Sequence, residues 1–356
     1  MKIECYKVIG LMSGTSLDGV DLAYITFEKK ESWSYTIHNA TTVPYSEKWK
    51  TRLQQAIHLP ENELNALNED FTAYLSEVIQ RFLNKIAEIP GYQGIDFISS
   101  HGHTVLHQPE KGITLQIGNI PKLAILTQQT IICDFRVQDV LLGGQGAPLV
   151  PVGDQLLFQE YDYCLNMGGF ANVSFKENKH RIAFDICPVN IVLNMLAERL
   201  GVPFDEGGKL AEKGILIPGL LQKLNALEFY KLSPPKSLGL EWVQTHIFPL
   251  LEKINERTED ILHTFTEHIA IQLANIFIQN ASVLVTGGGA YNSYLLRRLK
   301  SHKNLNLILP SKEVIEYKEA LVFGLLGVLK LRGEINCLAS VTGAKSDHSS
   351  GVIFQV

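Results

Sequence analysis

The segment Ser13-Gly14-Thr15-Ser16-Leu17-Asp18-Gly19 carries residue types that bind phosphate. Glycines let the backbone approach a ligand, free N–H groups and hydroxyls donate to anionic oxygens, and Asp18 is a hard donor suited to hydrated Mg²⁺. Read alone, the same residues equally describe a tight hairpin in which Asp18-Gly19 satisfies turn geometry. Two more glycine turns, Met167-Gly168-Gly169 and Gly287-Gly288-Gly289, also follow apolar stretches. Three such turns from distant parts of one chain are what a nucleotide cleft between two similar lobes requires. Neither G-x-x-x-x-G-K-[ST] nor G-x-G-x-x-G occurs, so a P-loop NTPase or a Rossmann dehydrogenase has no local support.

Other reactive groups stand apart from these turns. Arg136 can fork onto a carboxylate, with Asp134 and Asp139 as structural alternatives for its partner. Asp185 lies just before Pro188 and a helical pattern, a position where a carboxylate is often only a cap or a first-turn charge. His101, His103 and His107 have no carboxylate or cysteine at ligand spacing and read as a hydrogen-bonded loop rather than a zinc site. The cysteines, Cys5, Cys133, Cys164, Cys187 and Cys337, form no C-x-x-C pair and read as reduced, mostly buried thiols; Cys187 beside Asp185 reads as inert.

The elements that must position these groups follow from periodicity. Strands are expected at 6–12 and 20–27 around the first turn, and a long amphipathic helix at 61–89, stopped by Pro90-Gly91. A short strand at 97–99 leads into His101, strands at 114–117 and 130–134 bracket a helix at 120–128, and 143–151 is a Gly/Pro-rich connection. The chain then restarts: strand 163–166, glycine turn, strand 171–175, and a third segment, 181–185, ending in Asp185. Helices are expected after Asn190, at 259–279, near Asn292 and at 313–331, with a strand at 282–285.

With 356 residues, 46% of them hydrophobic and 19% charged, the chain is globular and of about two domains. A net charge of −5 without basic clusters excludes nucleic acid or an anionic membrane as the main partner. The apolar run 320–329 is too short to span a bilayer, so a soluble cytoplasmic protein is expected.

Ile9 through Asp21 is similar to the opening signature of the anhydro-N-acetylmuramic acid kinases, within the actin, hexokinase and Hsp70 ATPase superfamily. Ser100-His101-Gly102-His103-Thr104, Thr114 to Asn119, Asp134-Phe135-Arg136, Gly143 to Pro151, Leu165 to Gly169, Pro234-Pro235-Lys236-Ser237 and Thr286 to Gly289 agree in the same order. The resemblance implies an α/β, two-lobed, actin-like (ribonuclease H-like) fold with ATP in the cleft between lobes. It places the N-terminal lobe at 1–135 and 315–356 and the C-terminal lobe at 136–314, and it implies a homodimer.

The implied chemistry belongs to peptidoglycan recycling. Water opens 1,6-anhydro-N-acetylmuramic acid at its anomeric carbon while the freed 6-oxygen takes the γ-phosphoryl of ATP, giving N-acetylmuramic acid 6-phosphate. By family position Asp185 is the catalytic base. Gly14, Thr15, Ser16, Leu17, Asp18, Gly19, Val20 and Asp21, with Gly168, Gly169, Gly287, Gly288 and Gly289, bind ATP, and Asp18 holds Mg²⁺ through water. His101, His103, Thr104, Arg136, Asn190 and Glu319 contact the sugar. Where the family reads Asp-Thr-Gly-Pro-Gly-Asn, this chain has Asp185-Ile186-Cys187-Pro188-Val189-Asn190, with Asn194 at a later carboxylate position. That departure leaves a kinase for another sugar, or a nucleotide-binding pseudoenzyme, as alternatives.

Overall fold

The computed structural model describes residues 4–14 and 16–356, and its chain divides into two compact units. The first comprises the chain up to Leu157 together with Tyr317–Val356, and the second is Phe158–Glu316.

In the first unit, β1 (Glu4–Ser13), β2 (Gly19–Lys29) and β3 (Trp33–Pro44) form an antiparallel meander. β4 (Phe97–Gln108) lies parallel to β1 on its other side, β5 (Ile113–Ile117) folds back on β4, and β6 (Ile131–Cys133) runs parallel to β4. The central strand β1 is covered on both faces, which is why Val8, Ile9 and Leu11 read as a continuous apolar run. Ile9 and Leu11 share a core with Leu67, Phe71, Leu75 and Phe82 of the helix Glu61–Ala87. On the other face the helix Lys312–Leu331 approaches so closely that a Cβ at Gly10 would collide with the carbonyl of Ala320.

In the second unit, β7 (Tyr163–Met167), β8 (Phe170–Glu177) and β9 (His180–Pro188) form another meander, β10 (Ser282–Thr286) runs parallel to β7, and β11 (Asn306–Ile308) runs parallel to β10. The core on this sheet combines Leu165, Val173, Val283 and Val285 with Phe265, Ile269 and Leu273 of the helix Thr258–Ile276. β12 (Val352–Phe354) closes the first sheet, antiparallel to β6.

Both sheets therefore share one plan: three antiparallel strands, then two added in parallel beside the first. That is the ribonuclease H-like order of the actin-like ATPase fold, present twice. The repeated strand, glycine turn and strand in the sequence are its first hairpins.

Some expected bounds shift. β4 runs on through the histidines to Gln108, and β9 continues past Asp185 to Pro188 before the helix Asn190–Glu198. Residues 136–157, read from the sequence as part of the second lobe, pack in the first unit. They are held there by bonds from Arg136 to His101, from Cys337 and Thr342 to Asp139, and by the fit of Gly153 against Val322. The helix Lys312–Leu331 departs from helical geometry at Tyr317 (φ −117°, ψ 19°), where the chain passes from the second unit to the first. Among the described residues no helix is long and apolar enough to cross a membrane.

Candidate active site

In the first unit the β1–β2 hairpin ends in an exposed Ser16 and an exposed Asp18, with Leu17 at φ 61° and its N–H bonded to the Gly14 carbonyl. Thr15 lies outside the described residues. Gly19 and Val20 are buried in β2, and a side chain at Gly19 would strike the β3 backbone at Val43. Asp21 accepts the Thr42 hydroxyl at 2.6 Å, so the two candidate acids differ: one is tied to β3, and among the described residues Asp18 is bonded only through its backbone carbonyl, which accepts the Tyr45 N–H.

β4 carries the histidines. Gly102 sits at φ 72° where a Cβ would lie 2.6 Å from the Ile117 carbonyl, so glycine is required between them. His101 is buried; its Nε2 accepts Arg136 Nε–H at 3.0 Å and its Nδ1 lies 2.9 Å from the Gly102 carbonyl. Those two contacts define a neutral ring protonated on Nδ1, and burial with Arg136 alongside keeps its pKa well below the ordinary value. His103 bonds through Nδ1 to Ser13 Oγ at 2.8 Å, and Ser13 Oγ lies 2.6 Å from the Tyr45 hydroxyl. Burial brings His103 down to about 4. Thr104 Oγ1 accepts a long bond, 3.4 Å, from Gln116.

Arg136 donates through Nη1 to the Gly146 carbonyl at 2.7 Å, which orients the guanidinium. Desolvation brings it to about 10, partly opposed by Glu319, Cys337 and Asp139, so it stays cationic at neutral pH. Glu319 is solvent-exposed by area yet crowded by protein, and this crowding raises its pKa against the pull of Arg136. The first unit thus assembles an arginine, a glutamate and two neutral histidines, a set that suits a polyhydroxylated, anionic ligand.

In the second unit Gly168 and Gly169 join β7 to β8, and their carbonyls accept N–H groups of Val189, Asn190 and Ile191 at 2.8–3.3 Å. Asn190 also donates its side-chain amide to the Met167 carbonyl at 3.2 Å. Gly287, at φ 79°, lies where a Cβ would be 2.6 Å from Asn166 Oδ1, and Gly289 packs on Met167. Gly168, Gly169, Gly287, Gly288, Gly289 and Asn190 are therefore one neighbourhood at the ends of β7 and β10.

Asp185 lies on β9, half-buried. Its N–H donates to the Lys236 carbonyl at 3.1 Å, and its Oδ2 accepts the Leu238 N–H at 2.8 Å. It is not a helix cap. Desolvation raises its pKa, and the Leu238 N–H partly opposes that rise. Among the described residues Oδ1 has no protein hydrogen bond, leaving one oxygen anchored and one available. Ile186, Cys187 and Val189, at positions where the family carries smaller or polar residues, are buried in the core of this unit. Sequence reasoning set Ser13 in the first turn but missed its bonds to Tyr45 and His103, and it missed the packing of Lys236, whose ammonium sits 4.7 Å above the Phe229 ring; the Pro234 to Ser237 motif was the available signal for the last.

A family model described as "Anhydro-N-acetylmuramic acid kinase" matches residues 6–356. The chain belongs to that family. Relatives of the same description share 34% identity in Acinetobacter baylyi, covering 98% of this chain and 99% of the relative, and 34% in Haemophilus influenzae, covering 99% and 98%. One from Bacillus cereus is 32% identical, covering 95% and 96%. Family membership thus extends over both units, so the Asp185 segment and the Arg136 segment both lie inside the matched range.

Proposed function

We propose that this chain is an ATP-dependent anhydro-N-acetylmuramic acid kinase of cell-wall recycling in the cytoplasm. The observation that carries the reading is Asp185: a carboxylate with raised proton affinity, one oxygen pinned by a backbone N–H and the other open, in a chain matched to the family over almost its whole length. Asp185 takes a proton from water as the water oxygen bonds to the anomeric carbon. The bond from that carbon to the bridging 6-oxygen breaks, and the 6-oxygen takes the γ-phosphoryl as ATP becomes ADP. Capture of the departing oxygen by phosphorus replaces the general acid of a glycosidase.

Arg136, fixed by His101 and the Gly146 carbonyl, is assigned to the lactate carboxylate of the sugar, with His103, Thr104, Glu319 and Asn190 as further sugar contacts. Ser16, Leu17, Gly14 and Gly19 to Asp21, with Gly168, Gly169 and Gly287 to Gly289, are assigned to ATP; Thr15 joins them by sequence. Asp18, an exposed oxygen donor with no competing side-chain bond among the described residues, fits a hydrated Mg²⁺ better than Asp21 does. When bound, that ion would neutralise phosphate charge. We also infer a homodimer, which light scattering of the purified chain checks.

The direct test is incubation with ATP, Mg²⁺ and 1,6-anhydro-N-acetylmuramic acid. Stoichiometric ADP and a 6-phosphosugar are expected; ATP binding without phosphosugar would overturn the reading. Replacing Asp185 by Asn is expected to lower kcat by about 10²–10⁴-fold with the fold retained.

A further inference from the structure

A buried cluster in the first unit has no part in that reaction. Asp139 lies in the short helix Val137–Leu141, while Cys337 and His348 face each other across an isolated β-bridge, with reciprocal N–H to carbonyl bonds of 3.1 and 3.2 Å. All three are buried, at 0%, 1% and 9% exposure. We propose that Asp139, Cys337 and His348 form a structural binding site for a zinc-like divalent cation.

The donor atoms converge on a point. Cys337 Sγ is 3.0 Å and His348 Nε2 3.6 Å from Asp139 Oδ1, and the three ligand atoms all lie within 4.8 Å of one another. Zinc–sulfur bonds of ~2.3 Å and zinc–nitrogen or –oxygen bonds of ~2.0 Å put tetrahedral neighbours about 3.3–3.5 Å apart. Small side-chain adjustments therefore suffice.

The second observation is the state of His348. Its Nδ1 bonds to the Ser346 carbonyl at 3.0 Å, which assigns a proton to Nδ1, so that in the neutral ring Nε2 carries the lone pair. That Nε2 is buried and, among the described residues, has no hydrogen-bond partner. Buried polar atoms in native proteins are nearly always satisfied, and a ring that donates its far N–H to a carbonyl while aiming its other nitrogen at a carboxylate and a thiol has the orientation of a metal-bound imidazole. Asp139 is similarly braced: its Oδ2 accepts the Gly146 N–H at 2.7 Å, and its Oδ1 accepts the Thr342 hydroxyl at 2.7 Å.

One thiolate, one imidazole and one carboxylate favour zinc over Mg²⁺ or Ca²⁺, which take oxygen ligands alone. On binding, the Cys337 S–H bond breaks, a metal–sulfur bond forms and the proton leaves to solvent. The cation would tie the C-terminal segment to the loop ending in Gly146, whose carbonyl orients Arg136. Its role is positional, and the proposal stands independently of which sugar the enzyme takes.

The test uses the full untagged chain. Elemental analysis is expected to find about one zinc per chain, removable by a chelator. Titrating Co²⁺ into the stripped protein should give a thiolate-to-cobalt absorption band, with release of about one proton. Cys337→Ser should abolish that band, His348→Gln should weaken Co²⁺ binding at least tenfold, and Cys5→Ser should change neither. Zinc should raise the Tm of the stripped wild type by roughly 4 °C or more at saturating metal, a reading that stands even if a variant fails to fold. Absence of the band and of the Tm shift in folded wild type, or equal binding by the two ligand variants, would overturn the site and leave a metal-free hydrogen-bonded cluster.

Discussion

Arg136 donates its Nε–H to Nε2 of His101 at 3.0 Å, and His101 in turn bonds the Gly102 carbonyl through Nδ1, so a buried neutral imidazole serves as the seat of a cation. Charge is supplied by one residue and direction by the other. His101→Phe keeps a ring against Phe323, whose centroid is 4.7 Å from the imidazole, while removing the acceptor. Losing one charge-assisted bond corresponds to about 1.5–3 kcal/mol, so KM for the anhydrosugar is expected to rise at least tenfold while KM for ATP moves little. Arg136→Lys should have a similar effect, because an ammonium cannot reproduce the fork. Steady-state kinetics with each substrate varied in turn checks both; parallel loss for the two substrates would point to misfolding instead.

Asp185 must be ionised to accept a proton from water, and desolvation moves its pKa upward. The acid limb of kcat/KM is therefore expected above the ordinary carboxylate range, with activity falling as pH drops through that raised value. Leu238 contributes only its backbone N–H to the carboxylate, so Leu238→Ala should leave the limb in place. Lys236→Met tests whether the neighbouring cation matters: its carbonyl, not its ammonium, bonds the Asp185 N–H, and the limb should move by less than about half a unit.

Sequence legibility followed the range of each interaction. The glycine turns could be read because glycine is the residue that close backbone approach demands, as at Gly287 against Asn166. The long helix Glu61–Ala87 showed its buried stripe at regular spacing. β3 was not picked out because its residues alternate between half-buried and exposed with few large apolar side chains, and β12 is three residues long and pairs with β6 from over 200 positions away. The partners of His101 and Asp139 were hidden for the same reason: Arg136 is 35 residues from His101, and Cys337 is 198 from Asp139. Local pattern carries element type, but side-chain pairing across such separations is set only when the sheet order brings the segments together.

Gly10 looks like part of the nucleotide signature, yet its structural duty is contact with the helix Lys312–Leu331. A methyl group there would overlap the Ala320 backbone, which cannot rotate away as a side-chain tip would. Gly10→Ala is expected to destabilise the protein by about 1–3 kcal/mol through overpacking, read as a lower denaturant midpoint at unchanged m-value. Gly14→Ala comes no closer to a described atom than 3.6 Å, at Ser16 Oγ, and should leave stability within about 0.5 kcal/mol. Equal midpoints for the two variants would contradict the packing role of Gly10.

Acid should weaken this fold through its buried neutral histidines. His268 bonds Asn225 Oδ1 at 2.6 Å and the Tyr230 hydroxyl at 2.9 Å, and burial brings it to about 3; His103 is brought to about 4. Both folded values lie below the unfolded value near 6.5, so between about pH 6 and 4 the unfolded chain binds protons that the folded chain does not. Stability from these groups is fully present above pH 6.5 and is lost as pH falls through that window. Each contributes a slope approaching 1.4 kcal/mol per pH unit. Urea unfolding from pH 7 to pH 4.5 measures the summed slope, and His268→Gln, which keeps an amide in the network but cannot titrate there, should remove about one proton from it. If the variant and wild type lose stability with the same slope, His268 is not the group that takes up the proton.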